Sequence, residues 1–511
     1  MTQETSKKLL SGAALRLITL LFGIVTSFFM MPFIINSLGS HDYGLWIIIT
    51  SILSFYGVLD IGLSSATQRF ISHALAREDE QELNKTMATA IFLFSLIALF
   101  AFIITLVIAF SAPLFIDDAL SEELFKNTIL IMGTALACAF PFSAYQGILT
   151  ANLRFDLQSY IQLFKNLYRV TAIFIALSFS PTVTNLALVI VSADLLGYLF
   201  TLIYAKKNAG WLQLQKSDID KAKTKELFNF GIFSFVGFVA NKLKNNTDRF
   251  VIAGFLSLTH VAIYQIAAQL AEYFRQLLSS LLGVFFPTFT QLHSKGEHQK
   301  LIETFLFVSK LSAIISTLIG GAIIIFGQQF VILWVGPEFA AAHIPLVILM
   351  VGQTLASIQY PLFQVLFSIA KHKIYTGLSL LDGVLNLILS IIFVQYWEVA
   401  GVAFATALSF VVIRFFTVPL YTCKQLNLKV SKYLKASLYP TVLTCFIQIP
   451  LFIYLNDHPP TSFIEIIIYG FSVYPVFLLI LLFLSTNTNE RKQIMGFCSP
   501  IIRRLTKKRA V

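Results

Sequence analysis

Residues 87–112 read MATAIFLFSLIALFAFIITLVIAFSA, a run without one ionisable side chain. Roughly 20 apolar residues suffice to cross the hydrocarbon core of a bilayer as a helix, so this run reads as a membrane span. Working outward, thirteen further segments of the same kind appear: 13–36, 44–66, 127–151, 159–179, 183–205, 227–247, 260–287, 303–327, 344–368, 374–396, 399–421, 434–455 and 462–484. In lipid each backbone amide has to be satisfied within its own element, which makes these segments helices. Strands of a membrane barrel would alternate in polarity over about ten residues, and these do not. The composition agrees: 57% of the 511 residues are hydrophobic and 12% charged, against about 25% charged in soluble domains. The expectation is an all-α polytopic membrane protein of about fourteen transmembrane helices.

The formal net charge of +11 raises the question of nucleic acid, and the distribution of the charge excludes it. One alternating set of loops, with the tail, holds 27 of the 37 lysines and arginines; the other set holds one, Lys126. That asymmetry is the positive-inside pattern. It places both termini in the cytoplasm and the basic tail on anionic headgroups. Lys7 and Lys8 precede an apolar run that lacks a small-x-small cleavage site, so the first segment reads as an uncleaved span. The four cysteines, Cys138, Cys423, Cys445 and Cys498, fit no zinc or redox spacing and read as free thiols.

The Lys-rich segment 206–226 divides the chain. Expected domains are an N-lobe over 1–205 (spans 1–6), that basic linker, a C-lobe over 227–425 (spans 7–12), two extra spans over 426–486 and a basic tail over 487–511. The two six-helix lobes echo one another. Leu38-x5-Gly44-Leu45-Trp46 recurs as Leu256-x5-Ala262-Ile263-Tyr264, and Ser192 and Tyr204 recur as Ser409 and Tyr421. An even number of helices per repeat makes the repeats parallel, related by an axis along the membrane normal.

Charges inside the spans need a reason. GFVANKLKNNTDRF at 237–250 carries Lys242, Lys244, Asp248 and Arg249 between apolar flanks. Arg16, Lys165, Arg169, Arg275, Lys310 and Arg414 lie similarly, as do Asp60, Asp194, Glu272 and Asp382. Each central charge costs about 2.5–3.5 kcal/mol on insertion scales, so they turn away from lipid. Helical spacing groups the polar residues into stripes: Asn241, Lys244, Asn245, Asp248; Gln265, Gln269, Glu272, Gln276; Gln158, Gln162, Lys165, Arg169; Asp60, Ser64, Thr67; and Ser379, Asp382, Asn386. Five stripes imply a wet interior with an excess of cations. Internal pairing is the competing account: Glu272 with Arg275 at i, i+3 and Lys244 with Asp248 at i, i+4, while Arg249, Lys310 and Arg414 snorkel to a surface. The excess suits an anion, and a diphosphate on a lipid-linked sugar suits it well.

The stretches LDIGLSSATQRF (59–70), YQGILTANLRFDLQSYIQL (145–163), DRFVIAGFLSLTHVAIYQIAAQL (248–270), ILWVGPEF (332–339) and GVAFATALS (401–409) resemble polysaccharide-biosynthesis flippases. These belong to the multidrug/oligosaccharidyl-lipid/polysaccharide exporter superfamily. The resemblance spans nearly the whole chain. It implies that undecaprenyl-diphosphate-linked oligosaccharide repeat units move from the cytoplasmic to the outer leaflet of a bacterial inner membrane, for O-antigen, capsule or a similar glycan. It also implies a cationic central cavity between the lobes, with Arg16, Lys242, Lys244 and Arg249 in that role by their place on spans one and seven. Lys165, Arg169 and Arg275 complete the expected substrate-binding set. Alternating access is the expected mechanism, and Asp60, Glu272, Asp382 and Asp248 are the expected carboxylates for H⁺ or Na⁺ coupling. No cofactor is expected and no enzyme activity. Membrane lipids, a polysaccharide polymerase and a chain-length regulator are the expected partners. No GxxxxGK[ST] phosphate-binding loop is present, which argues against direct ATP hydrolysis. The rivals are a drug exporter of the same superfamily and a membrane glycosyltransferase or polymerase. The latter rests on Asp117-Asp118 alone.

Overall fold

The structure, a computed structural model, describes residues 3–114, 118–210, 212–371, 373–488 and 490–491; within these, the side chains of 3–14, 16, 17, 20, 114 and 229–245 are outside the described set. No strand occurs among the described residues. In chain order the helices are α1 (Gln3–Leu38), α2 (Ser40–Ser54), α3 (Leu63–Ala76), α4 (Glu80–Phe110), α5 (Ala119–Ala151), α6 (Phe155–Phe179), α7 (Val183–Asn208), α8 (Lys221–Phe255) and α9 (Leu258–Gly283). There follow α10 (Phe286–Ser294), α11 (His298–Val335), α12 (His343–Ile358), α13 (Tyr360–Ser368), α14 (Lys373–Phe410), α15 (Thr417–Gln425), α16 (Val430–Asp457) and α17 (Phe463–Ser485). All fourteen expected segments fall on these helices. Among the described residues, ten stretches are long and apolar enough to cross a membrane. One of them, Lys373–Gln425, takes in two expected segments, because α14 is two helices joined end to end at Trp397 and Glu398, the latter at φ 49. The expected segments outside the ten lie on α6, α8 and α9, the helices with the most heavily charged polar stripes.

The chain is a multi-pass all-α membrane protein, and α4 shows why in its side chains. Over its last three turns the buried face is small, with Ala101, Thr105 and Ala109 fully covered, whereas Met87 and Phe94 are buried nearer its start. Its exposed face is large and apolar, with Leu99, Val107 and Phe110 each more than half exposed. A water-soluble helix shows the opposite arrangement. Small residues let helices approach within the bilayer while large ones meet lipid.

The fold forms two compact units, Met1–Ala262 and Ile263–Val511. In the first, α5 packs on α3, α4 and α7, while α6 packs on α1 and α7. In the second, α11 packs on α12, α16 and α17, and α12 on α14. The basic segment 206–226 thus lies inside the first unit rather than between units, because α8, which follows it, rests on α2, α3 and α4.

The expected span 44–66 is broken. A 3-10 turn over Phe55–Asp60 ends α2, and Ile61 (φ 48) and Gly62 (φ 72) take left-handed backbone before α3 begins. Glycine adopts that conformation freely, whereas β-branched Ile61 is strained by it. Asp60 holds the break: its Oδ1 accepts the backbone N–H of Ser64 at 3.0 Å and the Ser64 hydroxyl at 2.9 Å. Non-helical backbone at membrane depth is tolerated where it is buried in protein or lines a cavity. In the second unit buried glutamines reach backbone carbonyls across helices. Gln364 Nε2 donates to Leu282 O at 2.9 Å, Gln359 Nε2 to Phe415 O at 2.7 Å and Gln448 Nε2 to Thr317 O at 3.2 Å.

Candidate functional site

A cavity of about 910 Å³ opens within the first unit, walled by α1, α3, α5 and α6. The break after Asp60 turns Ser64 and Gln68 of α3 into it. From α5 come Gln146 and Thr150, and from α6 Gln158 and Gln162. Among the described residues none that lines it is ionisable. Two of the expected stripes, those on α3 and α6, therefore meet at one wet surface. Its amides and hydroxyls both donate and accept hydrogen bonds, as sugar hydroxyls require. The wall is partly pre-bonded: Gln158 Nε2 donates to Thr150 Oγ1 at 2.7 Å and Gln162 Nε2 to Asn166 Oδ1 at 3.0 Å.

A recess of about 100 Å³ shares Ser143, Gln146, Gln158 and Gln162 with that cavity and is closed by Lys165, Gly197 and Tyr198. Beside it stands a cluster of three charges. Asp194 Oδ1, from α7, accepts from Lys165 Nζ at 2.7 Å and from Arg169 NH2 at 2.7 Å. Two cations thus share one carboxylate oxygen, and a net positive charge remains. Arg169 Nε is buried without a hydrogen-bond partner. Gly197 makes room for this arrangement, since a Cβ there would run into the aliphatic stem of Lys165. The side chains of the cluster are between 16% and 31% exposed, and Lys165 is the one that lines the recess.

The other expected residues fall elsewhere. Arg16, Lys242 and Lys244 lie on α1 and α8, with side chains outside the described set. Arg249 NH1 donates to Asn246 Oδ1 at 2.7 Å, and both Asn246 and Asp248 are buried. Arg275 and Glu272 form the pair their i, i+3 spacing predicts, as a two-pronged contact: Nε to Oε2 at 2.7 Å and NH2 to Oε1 at 2.5 Å. Asp60 is a helix cap at the break. Asp382 is buried against Arg414, whose NH2 lies 2.6 Å from Oδ2. The expectation that Arg414 snorkels is thereby corrected: it is 8% exposed, on a π-helical turn over Val411–Phe415, and donates to Tyr375 OH at 3.3 Å. Lys310 also is held inside, its Nζ bonded to both oxygens of Glu490 at 2.8 and 3.0 Å. Asp118, the described half of the acidic pair, caps α5 by accepting from Ser121 N at 2.9 Å and Ser121 Oγ at 2.7 Å. Those bonds hold its carboxyl below the usual carboxylate range, and Asp117 lies outside the described residues.

Sequence reasoning passed over Gln146 and Thr150 as binding residues, and it counted Asp194 only as an intramembrane acid. The signal was present in part. Gln146 stands in one of the quoted stretches, and Asp194 with Tyr198 shows the i, i+4 spacing of a shared helix face.

Residues 9–293 match a family model described as "Polysaccharide biosynthesis protein". Over 446 residues, covering 83% of this chain and 85% of the relative, the sequence is 24% identical to the uncharacterized membrane protein EpsK of Bacillus subtilis. Over 396 residues, 77% of this chain and 79% of the relative, it is 23% identical to a probable low-salt glycan biosynthesis flippase, Agl15, of Haloferax volcanii. Among solved structures, the lipid II flippase MurJ in an inward closed conformation superposes with a TM-score of 0.71 at 15% identity, covering 93% of this chain and 99% of that one. The chain thus shares the fold of that flippase.

Proposed function

Since the chain belongs to the polysaccharide biosynthesis protein family, we propose that it is a flippase for lipid-linked oligosaccharide repeat units. In this reading the unit hangs from an undecaprenyl diphosphate and passes from the cytoplasmic to the outer leaflet of the inner membrane by alternating access. The observation that carries the reading is the cavity of the first unit: a space lined, among the described residues, by hydroxyls and amides, which shares part of its wall with the recess that Lys165 lines beside Arg169 and Asp194. Sugars hydrogen-bond to the first part, and diphosphate oxygens take up the positive charge left in the second. Arg16, Lys242, Lys244, Arg249 and Arg275 are proposed to extend the cationic path. The polyprenyl tail stays in the bilayer. Uptake of H⁺ or Na⁺ at Asp60, Asp248 or Glu272 resets the cycle, and a polymerase with a chain-length regulator receives the product.

The test is loss and rescue. Deleting the gene should abolish a surface glycan, such as O-antigen or capsule, while lipid-linked repeats accumulate inside. Lys165→Gln with Arg169→Gln, or Lys242→Gln with Lys244→Gln, should fail to restore the glycan at normal expression. A deletion that alters drug tolerance and leaves the glycan untouched would sink the proposal in favour of a drug exporter.

A further inference from the structure

A separate cavity of about 980 Å³ opens within the second unit, between α10, α11, α16 and the residues after α17. Four lysines line it, Lys300, Lys310, Lys432 and Lys435, against Glu303 and Glu490. The acids are engaged. Glu490 binds Lys310 through both oxygens, and its Oε2 also accepts the Asn487 backbone N–H at 2.8 Å. Glu303 accepts from Gln299 Nε2 at 3.0 Å. Lys300 is paired with Glu297 at 2.6 Å. Lys432 and Lys435, nearly one turn apart on α16, are exposed and have no carboxylate partner among the described residues.

Three features point to an anion between them. Both lysines sit in the first two turns of α16, just after Lys429 at its N-cap. Cations there oppose the helix dipole, whereas a bound anion would be favoured by the dipole and the lysines together. Ser485 Oγ, part of the wall, is buried without a partner. The remaining wall sets apolar Leu292, Leu306, Phe307 and Pro440 beside Thr288, Thr304, Tyr439 and Asn487. A phosphate dissolved in water has no use for the apolar part, but a phosphate carried on a lipid does. The cavity also lies among the loops that carry Lys295, Lys300 and Lys429, the ends where anionic headgroups gather.

We propose that this cavity binds the phosphate of a net-negative lipid headgroup, with Lys432 and Lys435 as its ligands and the Lys310–Glu490 pair as a fixed wall. The same chemistry is presented by an anionic phospholipid and by a polyprenyl phosphate. Native mass spectrometry of the full-length protein distinguishes them, with phosphatidylglycerol, undecaprenyl phosphate and phosphatidylcholine offered separately. Wild type should retain at least one of the first two about fivefold over phosphatidylcholine. Retention of phosphatidylglycerol alone assigns a bilayer lipid, and of undecaprenyl phosphate alone a cargo lipid. Lys432→Gln with Lys435→Gln should abolish the preference, Lys432→Arg with Lys435→Arg should keep it, and Lys207→Gln, outside the cavity, should not change it. If the double glutamine variant is poorly produced, Lys435→Gln alone should lose about half of the preference. Equal retention by wild type and the glutamine variants overturns the proposal. So does stabilisation by inorganic phosphate equal to that by the lipids.

Discussion

Two clusters of intramembrane charge, one in each unit, solve different problems. In the second unit Arg414 and Asp382 are matched one to one, 8% and 2% exposed. Asn386 and Ser390 extend the polar layer, with Ser390 Oγ donating to Asn386 Oδ1 at 2.8 Å. In the first unit Lys165 and Arg169 share Asp194 and border a recess. A matched and covered pair is neutral and closed to ligands. An unmatched and partly open cluster keeps a net positive charge. Stoichiometry and access, more than the presence of a charge, separate a structural ion pair from a binding site.

The largest effect should come from breaking the matched pair. Arg414→Leu or Asp382→Ala alone leaves a buried charge uncompensated, at a cost of about 3–5 kcal/mol. Asp382→Leu with Arg414→Met should recover most of it. Unfolding of the purified protein in detergent reads this, and harmless single variants would erase the distinction drawn above.

Lys165→Gln gives the first cluster the stoichiometry of the second. Stability should change by no more than about 1 kcal/mol, as for partly exposed pairs. Flipping of lipid-linked glycan should fall about ten- to a hundredfold, the range for losing one ionic hydrogen bond of about 1.5–3 kcal/mol. A variant that transports normally would show that the surplus charge has no ligand.

Gly197→Leu sharpens the point without removing a charge. The added side chain displaces the stem of Lys165, so transport should drop several-fold. Overpacking should cost about 1–3 kcal/mol. Gly197→Ala, whose Cβ meets the same stem, should lower transport in the same direction and by less; a Gly197→Leu variant that transports normally would break the tie to the placement of Lys165.

The smallest effect belongs to a pair with nothing to enclose. Arg154 Nε and NH2 each lie 3.0 Å from an oxygen of Asp156, with both side chains about a third exposed. The hydrogen bond from Arg154 lowers the Asp156 pKa. A lowered carboxylate contributes stability above its unfolded pKa, near 3.9, and loses it as pH falls through the folded value. Arg154→Gln should therefore cost less than about 1 kcal/mol at neutral pH, and once the medium is acid enough to protonate Asp156 only the share from the bond of Arg154 NH1 to Asn208 Oδ1 at 2.9 Å should remain. A cost that persists in full in strong acid would assign it to packing instead.

Much of this was legible in the residues. The apolar runs marked the long helices, since a span must satisfy its own backbone and present apolar side chains to lipid, while most of α3 and α10 lay outside them. The i, i+3 spacing of Glu272 and Arg275 announced their pair. The break at Asp60 was not legible. Its neighbours are as apolar as those of any span, and the capping bonds from Ser64 become visible only when the backbone has turned. Arg414 was misread for a related reason: a cation near the end of an apolar run looks ready to snorkel, and its acid lies 32 positions away in sequence on α14.

By itself the sequence determined a multi-pass helical protein with charges stranded in its spans, because hydropathy and helical period are local properties carried by neighbouring residues. The tertiary structure decided which of those charges cancel and which stay open, and it assembled a cavity lined by amides and hydroxyls from α1, α3, α5 and α6. Such outcomes depend on distances between residues far apart in the chain, and no local pattern encodes them.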